Sequence, residues 1–151
     1  MISNQYVAGF FDGDGWVTVS EVKGYLREGS TRHTPSFRAA VGFANNHRGV
    51  LEQIGKKFGG TIYRREPRFY VLNIRGDNRK RILKAMMPHL VVKQRQAGLA
   101  LQLLATFRPR GKRNRHYPLT ETELAYRRAI ASKMQTVNAA SGHRKGRLSA
   151  I

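Results

Sequence analysis

The order of apolar periodicities along the chain is the feature that most restricts its fold. Segments with helical spacing alternate with pairs of segments in which apolar and polar residues alternate, and each alternating segment predicts a half-buried strand. In chain order they are helix 4–11, strands 16–23 and 37–45, helix 48–58, and strands 61–66 and 69–75. This order predicts an α+β domain with one four-stranded antiparallel sheet.

Three more helices and a basic tail follow the predicted strands. Apolar spacing predicts a short helix over 77–88 and a longer one over 91–107. A last helix over 120–138 opens with a capping-box pattern. We interpret residues 1–141 as a single domain and residues 142–151 as a basic C-terminal tail.

Acidic residues are scarce in this chain. It has 28 Lys and Arg against 9 Asp and Glu in 151 residues, which gives a formal net charge of +19. Such a surface repels itself unless a polyanion covers it, so the composition predicts a polyanionic partner. No run of 18 apolar residues and no basic N-terminal region before an apolar one occurs in the sequence. We therefore expect no membrane association and an intracellular, non-secreted protein of a bacterial or phage cytoplasm, or of an organelle matrix if it is organelle-encoded.

The chain contains no cysteine. This excludes disulfides, zinc fingers, iron–sulfur clusters and thiol catalysis, so any metal ion must be bound by oxygen or imidazole. The five histidines have no pairwise spacing typical of a metal site. Any metal site in this protein is therefore expected to have oxygen ligands.

Two carboxylates and two glycines end the first predicted helix, in the segment VAGFFDGDG at residues 7–15. Gly9 and Gly13 are four residues apart, so they share a helical face and allow another backbone to come close. Asp14 falls where the helix stops and backbone carbonyls are free. Two such helices packed face to face bring two Asp14 carboxylates together, which suits Mg²⁺. The alternative is a plain helix-to-strand turn, because Asp and Gly are common turn residues.

The nine-residue segment resembles the LAGLIDADG motif of homing endonucleases, with Val7 where the family usually has Leu. Two later segments are similar to the same family and occur in the same order, VGFANNH at 41–47 and PHLVVKQRQA at 88–97. The resemblance implies a single-motif αββαββα domain whose sheet binds DNA and whose motif helices pair two copies in a two-fold homodimer. It also implies site-specific, Mg²⁺-dependent double-strand cleavage of a long pseudo-palindromic DNA target, without a small-molecule cofactor. Ca²⁺ or Mn²⁺ is expected to replace Mg²⁺ in binding.

The resemblance further implies roles for individual residues. Asp14 would bind the metal through its carboxylate, and Gly13 through its carbonyl. Asn45 would order water near the scissile phosphate, at a position where the family often has Gln. Lys93 would lie beside the central phosphates and offset the charge that builds in the transition state. Asp12 is expected to support the helix end rather than bind metal.

Strand alternation predicts which side chains face DNA. One face of the sheet packs on the helices, and alternate side chains of the open face would read base edges in the major groove. With the basic tail, the predicted DNA contacts are Thr18, Ser20, Arg38, Arg64, Asn73, Arg75, Arg144 and Lys145. The alternatives are that the arginines are ordinary solvated residues or that the register is shifted by one residue.

The motif occurs once in 151 residues, so a centre with two carboxylates needs two chains, and we expect a homodimer.

Two other functions remain: an RNA maturase or catalytically silent DNA-binding relative, and a basic RNA-packing protein of ribosomal type. Asp14 and Lys93 together favour the nuclease, and the ribosomal interpretation leaves the motif unexplained. Taken singly, Lys93 is compatible with a solvated surface charge and Asn45 with a strand-end cap.

Overall fold

The helices and strands follow the order that the periodicities predict. The computed structural model describes residues 1–22, 35–107 and 119–141. The elements are α1 (Asn4–Asp14), β1 (Gly15–Val22), β2 (Ser36–Asn45), α2 (Arg48–Phe58), β3 (Thr61–Glu66), β4 (Phe69–Ile74), α3 (Asn78–Met86), α4 (Gln94–Ala105) and α5 (Glu121–Ala140). The prediction of an α+β fold is confirmed. None of the helices in these ranges is both long and apolar enough to span a membrane.

The four strands form one antiparallel sheet in the order β1-β2-β4-β3. Cross-strand partners share a face of the sheet, so the register shows which residues lie together. One face, the core face, carries Val17, Val41 and Ile74 in one row and Phe43, Leu72 and Ile62 in the next. The other, which we call the open face, carries Trp16, Gly42, Asn73 and Thr61 in one row.

The helices pack on the core face. Val7 and Phe11 of α1 are fully buried, and the Phe11 ring meets Phe43 of β2 edge-on with centroids 5.3 Å apart. Leu103 of α4 and Met134 of α5 complete the same core. On the open face, by contrast, Thr18, Ser20 and Arg38 are exposed. The sheet therefore has one apolar and one polar face, which its alternating sequence requires.

Side-chain caps begin three of the helices, α1, α2 and α5. The Ser3 hydroxyl accepts a hydrogen bond from the Tyr6 N–H at 3.1 Å and starts α1. His47 starts α2, because its Nδ1 accepts from the Val50 N–H at 3.2 Å. Thr120 and Glu123 form the predicted capping box at the start of α5. The apolar spacing at the start of the chain covers residues 4–11, and α1 continues to Asp14, the residue at which the Asp-Gly segment predicts its end.

The register corrects the predicted position of Arg64. This residue pairs with Tyr70, which lies on the same face as Leu72, so Arg64 belongs to the core face at the exposed edge of the sheet. A bulge between Arg64 and Glu66 adds one residue to β3 and reverses the alternation beyond it. The placement of Arg64 on the open face is therefore wrong.

Candidate active site

Asp14 is the last residue of α1, and its carboxylate is exposed where α1 joins β1. Asn45, the last residue of β2, lies next to it because Gly15 pairs with Phe43 in the register. The Asn45 amide Nδ2 donates to Asp14 Oδ2 at 2.9 Å, and its Oδ1 accepts from the His47 N–H at 2.7 Å. Asn45 thus joins the start of α2 to one oxygen of the carboxylate. The structure brings together these two predicted site residues.

Lys93 is buried beneath the end of α1, with 8% of its surface exposed. Its Nζ donates to the carbonyl oxygens of Phe11 at 2.9 Å, Asp12 at 3.0 Å and Gly15 at 2.7 Å. An ammonium has three hydrogens, so all of them are used. The C-terminal carbonyls of a helix carry the negative end of its dipole, which the ammonium offsets. Lys93 therefore holds the main chain on both sides of Asp14.

Two opposing effects act on the Lys93 ammonium. Burial lowers the pKa of Lys93 below its ordinary value, and the carboxylates of Asp12 and Asp14 oppose that shift. The hydrogen bonds also favour the charged form, because a neutral amine has two hydrogens for three carbonyls. The carbonyls and carboxylates at the end of α1 thus stabilise the charged form of Lys93 and oppose the cost of its burial.

Asp12 binds backbone N–H groups, whereas Lys93 binds backbone carbonyls. Its Oδ2 accepts from the Val91 N–H at 2.8 Å, and its Oδ1 accepts from the N–H groups of Val92 at 3.2 Å and Lys93 at 2.9 Å. Asp12 thus binds the backbone that leads into α4, while Lys93 binds the backbone that leads out of α1. We call this exchange of hydrogen bonds the Asp12–Lys93 clasp. It agrees with the expectation that Asp12 supports the helix end.

The clasp changes the interpretation of Lys93. A solvated surface charge is excluded, because the side chain is buried. A contact with the central phosphates is not what this geometry shows either, since the three donors already serve backbone carbonyls. The sequence pattern could not have shown the clasp, because its two residues are 81 positions apart. Lys93 is a positioning residue for Asp14.

Oxygen donors for a cation remain at the helix end. Asn45 occupies Oδ2 of Asp14, and Oδ1 accepts no hydrogen bond within the described residues. Gly13 lies in the last turn of α1, where carbonyls lack an intrahelical partner, and Lys93 does not bind its oxygen. One carboxylate and one carbonyl form a hard donor set that suits Mg²⁺. Across the ranges that the structure describes, no three His, Asp or Glu side chains gather as a metal site.

The predicted DNA contacts divide between several regions. Four of them lie on the open face: Thr18, Ser20, Arg38 and Asn73. Strand β1, which carries the first two, begins directly after Asp14. Arg75 follows the last residue of β4 and is exposed. The predicted contacts in the tail, Arg144 and Lys145, lie outside the described residues.

Residues 7–97 match the sequence profile of the LAGLIDADG endonuclease family. The chain belongs to that family. The resemblance of its motifs to LAGLIDADG homing endonucleases is thereby confirmed. No curated protein sequence matches the chain.

Solved structures of several homing endonucleases have the same fold. The structure of I-CvuI in complex with the I-CreI target has a TM-score of 0.70 at 22% identity, over 89% of this chain and 80% of that one. I-TnaI gives a TM-score of 0.66 at 21% identity, over 94% and 97%. I-GzeII in complex with its DNA target gives 0.67 at 18% identity, over 95% of this chain but 50% of that one.

Removing either side chain of the clasp will destabilise the protein. We expect Lys93→Met and Asp12→Ala each to cost about 1–3 kcal/mol of unfolding free energy, because each leaves backbone groups without partners. The double variant will cost less than the sum, since both act on one junction. Urea denaturation at one protein concentration measures these values.

Lys57→Met is the matched control for Lys93→Met. The Lys57 ammonium donates to one carbonyl, that of Ile2 at 2.8 Å, so its loss will cost less. Equal effects of the two lysine variants would contradict the structural role of Lys93.

Proposed function

We propose that this protein is a site-specific homing endonuclease that cuts both strands of a long, pseudo-palindromic DNA target as a Mg²⁺-dependent homodimer. The observation that carries the proposal is the Asp14 carboxylate, exposed at the end of the LAGLIDADG helix with one oxygen available. The net charge of +19 supports a polyanionic substrate. The structures of I-CvuI and I-GzeII with DNA support the choice of DNA.

Each residue of the site has a separate task in this reaction. Asp14 and the carbonyl of Gly13 bind the metal. A bound Mg²⁺ supplies activation of water and stabilisation of the phosphate charge. Asn45 orients the Asp14 carboxylate through its amide and is placed to hold a water near the scissile phosphate. Lys93 fixes the helix end and adds a positive charge beneath it.

The open face is the proposed DNA-reading surface. Thr18, Ser20, Arg38 and Asn73 contact base edges, where Arg suits guanine and Asn suits adenine. Arg75 lies at the end of β4 and contacts the same groove, while Arg144 and Lys145 of the tail bind phosphates. The arrangement places base contacts on the strand that begins directly after Asp14. Binding and cleavage thus share one rigid element.

Two glycines of α1 support the homodimer. A Cβ added at Gly9 or Gly13 would meet no atom within 4 Å, and neither residue has a positive φ. Nothing in the described chain therefore requires glycine at these positions, although glycine within a helix costs about 1 kcal/mol relative to alanine. We infer that the small residues serve the close approach of a second α1 helix.

Exposed apolar side chains border the same helix. Tyr6 on α1 is 53% exposed, and Val91 and Val92 are 85% and 63% exposed. Asp12 binds the backbone of the two valines, so they lie beside the end of α1. A two-fold axis along this surface covers the apolar groups and brings the two Asp14 carboxylates together. A chain of I-GzeII is about twice as long as this one, which fits a cleavage unit of two halves.

Because Lys93 is buried and binds the main chain, its presence does not distinguish a nuclease from a catalytically silent relative or an RNA maturase. A silent relative would also keep Lys93, because the fold depends on it. Asp14 is different, because it is exposed and its side chain bonds with Asn45 alone among the described residues. The nuclease proposal therefore depends on Asp14.

Replacing Asp14 will separate cleavage from binding. We expect Asp14→Asn to slow cleavage at least about 100-fold, because the metal loses its anionic ligand. Affinity for DNA will be nearly unchanged. A duplex enriched from a randomised library by the wild type in Ca²⁺ is the substrate, and cleavage is followed in Mg²⁺ and in EDTA.

Asp77→Asn is the control for this substitution. Asp77 is exposed at the start of α3 and makes no side-chain cap hydrogen bond. Its replacement will leave cleavage at the wild-type rate. A wild type that binds the duplex and never cuts it in Mg²⁺ would favour the silent relative instead, and tighter binding of RNA than of any DNA would favour the maturase.

A bulky side chain on the exposed face of α1 will prevent dimerisation. Gly9→Leu has open space in one chain, so we expect a folded protein with the mass of one 17.1 kDa chain rather than two, and no double-strand cleavage. Light scattering measures the mass. Lys133→Leu adds the same side chain at an exposed site of α5 and will remain dimeric. A dimeric Gly9→Leu variant would show that α1 is not the interface.

A further inference from the structure

The one tryptophan of the chain lies on the open face, close to the site. Trp16 is the second residue of β1 and comes two residues after Asp14. It pairs with Gly42 of β2, and Asn73 of β4 follows in the same row. Trp16 is partly exposed and is not part of the hydrophobic core. The next row of this face holds Ala44, Val71 and Tyr63, of which Val71 is buried and Tyr63 is exposed. The indole is thus a large apolar surface that remains partly accessible on the open face.

Gly42 provides the space that the ring occupies. A Cβ added at Gly42 would overlap Cζ2 and Cη2 of the indole. The φ angle of Gly42 is not positive, so its backbone does not require glycine. The benzene part of the indole thus lies over the Gly42 backbone, on the side that faces outwards. The same Cβ would lie 2.7 Å from the backbone oxygen of Leu72, so glycine at this position accommodates both the indole and the β4 backbone.

Base edges in the major groove offer one apolar group, the 5-methyl of thymine. An aromatic surface that remains partly exposed on a DNA-reading face is complementary to that methyl, whereas it gives nothing to a phosphate. Because Trp16 follows Asp14 so closely, a base that it touches lies near the phosphate to be cut.

We propose that Trp16, placed by Gly42, contacts the 5-methyl group of a thymine in each half of the DNA target and makes the enzyme prefer thymine there. The contact is a specificity determinant beside the cleavage site. This inference rests on the proposed function, because it takes the open face as the DNA-reading face.

The test combines one change in the protein with one change in the DNA. Wild type and Trp16→Ala each enrich duplexes from a randomised library in Ca²⁺, and the enriched sequences are compared. Dissociation constants are then measured for the wild-type duplex and for a copy with uracil in place of the thymine concerned. Uracil removes the methyl group and leaves the base pairing unchanged.

Wild type will enrich a thymine at a position that Trp16→Ala leaves random. Uracil will weaken wild-type binding about fourfold per half-site, the effect of exposing one methyl group, and will not change the affinity of Trp16→Ala. Fluorescence of the lone tryptophan will change when the thymine duplex is added. Trp16→Phe will keep part of the uracil sensitivity and serves if Trp16→Ala does not fold.

Two further variants act as controls. Gly42→Ala displaces the indole, and it will lose the thymine preference although Trp16 is present. Because its Cβ also crowds the Leu72 carbonyl, this variant is compared with wild type only if it folds and still binds DNA. Tyr126→Ala removes an exposed aromatic ring from α5, and this variant will retain the thymine preference.

Two different failures are distinguishable. Equal uracil sensitivity of wild type and Trp16→Ala, or the absence of any thymine preference in a duplex that is bound and cut, overturns the role of Trp16 alone. A wild type that neither enriches nor cuts any duplex overturns the proposed function together with this inference.

Discussion

The site depends on an exchange of hydrogen bonds between two parts of the chain that are 81 residues apart, the Asp12–Lys93 clasp. Asp12 holds three N–H groups before α4, and Lys93 holds three carbonyls around the end of α1. One of those carbonyls belongs to Gly15, the first residue of β1. The clasp therefore fixes the helix end, the start of the sheet and the direction of Asp14 together. It satisfies the buried charge with backbone carbonyls and does not use the Asp14 carboxylate.

Periodicity was enough to predict the fold, because each strand buries one face and each helix one stripe. It failed where long-range contacts decide the local structure. The register of β3 is set by its pairing with β4, in which Arg64 lies opposite Tyr70 on the core face, two residues after Ile62, and the bulge reverses the alternation only beyond it. The carbonyls of Phe11 and Asp12 near the end of α1 are bound by Lys93, a distant residue that no local sequence pattern identifies as their partner.

The site was predictable as a set of residues but not as an arrangement. Asp14 and Asn45 were chosen from separate motifs, and the antiparallel register brings them into contact. Lys93 was chosen from its motif alone, and its burial could not be foreseen because its acceptors are backbone groups of a distant segment. The glycines of α1 are visible in the sequence, but only the structure shows that the space above them is open.

In the proposed mechanism, Asp14 would bind a metal ion required for DNA cleavage while Lys93 holds the helix end beneath it. A crystal structure of the protein with an enriched DNA duplex and Ca²⁺ tests this most directly. We expect two copies that pack through α1, Ca²⁺ bound by both Asp14 carboxylates, and the Lys93 ammonium still on the carbonyls of Phe11, Asp12 and Gly15. A metal bound away from Asp14, or a Lys93 side chain that has left these carbonyls for a phosphate, would contradict it.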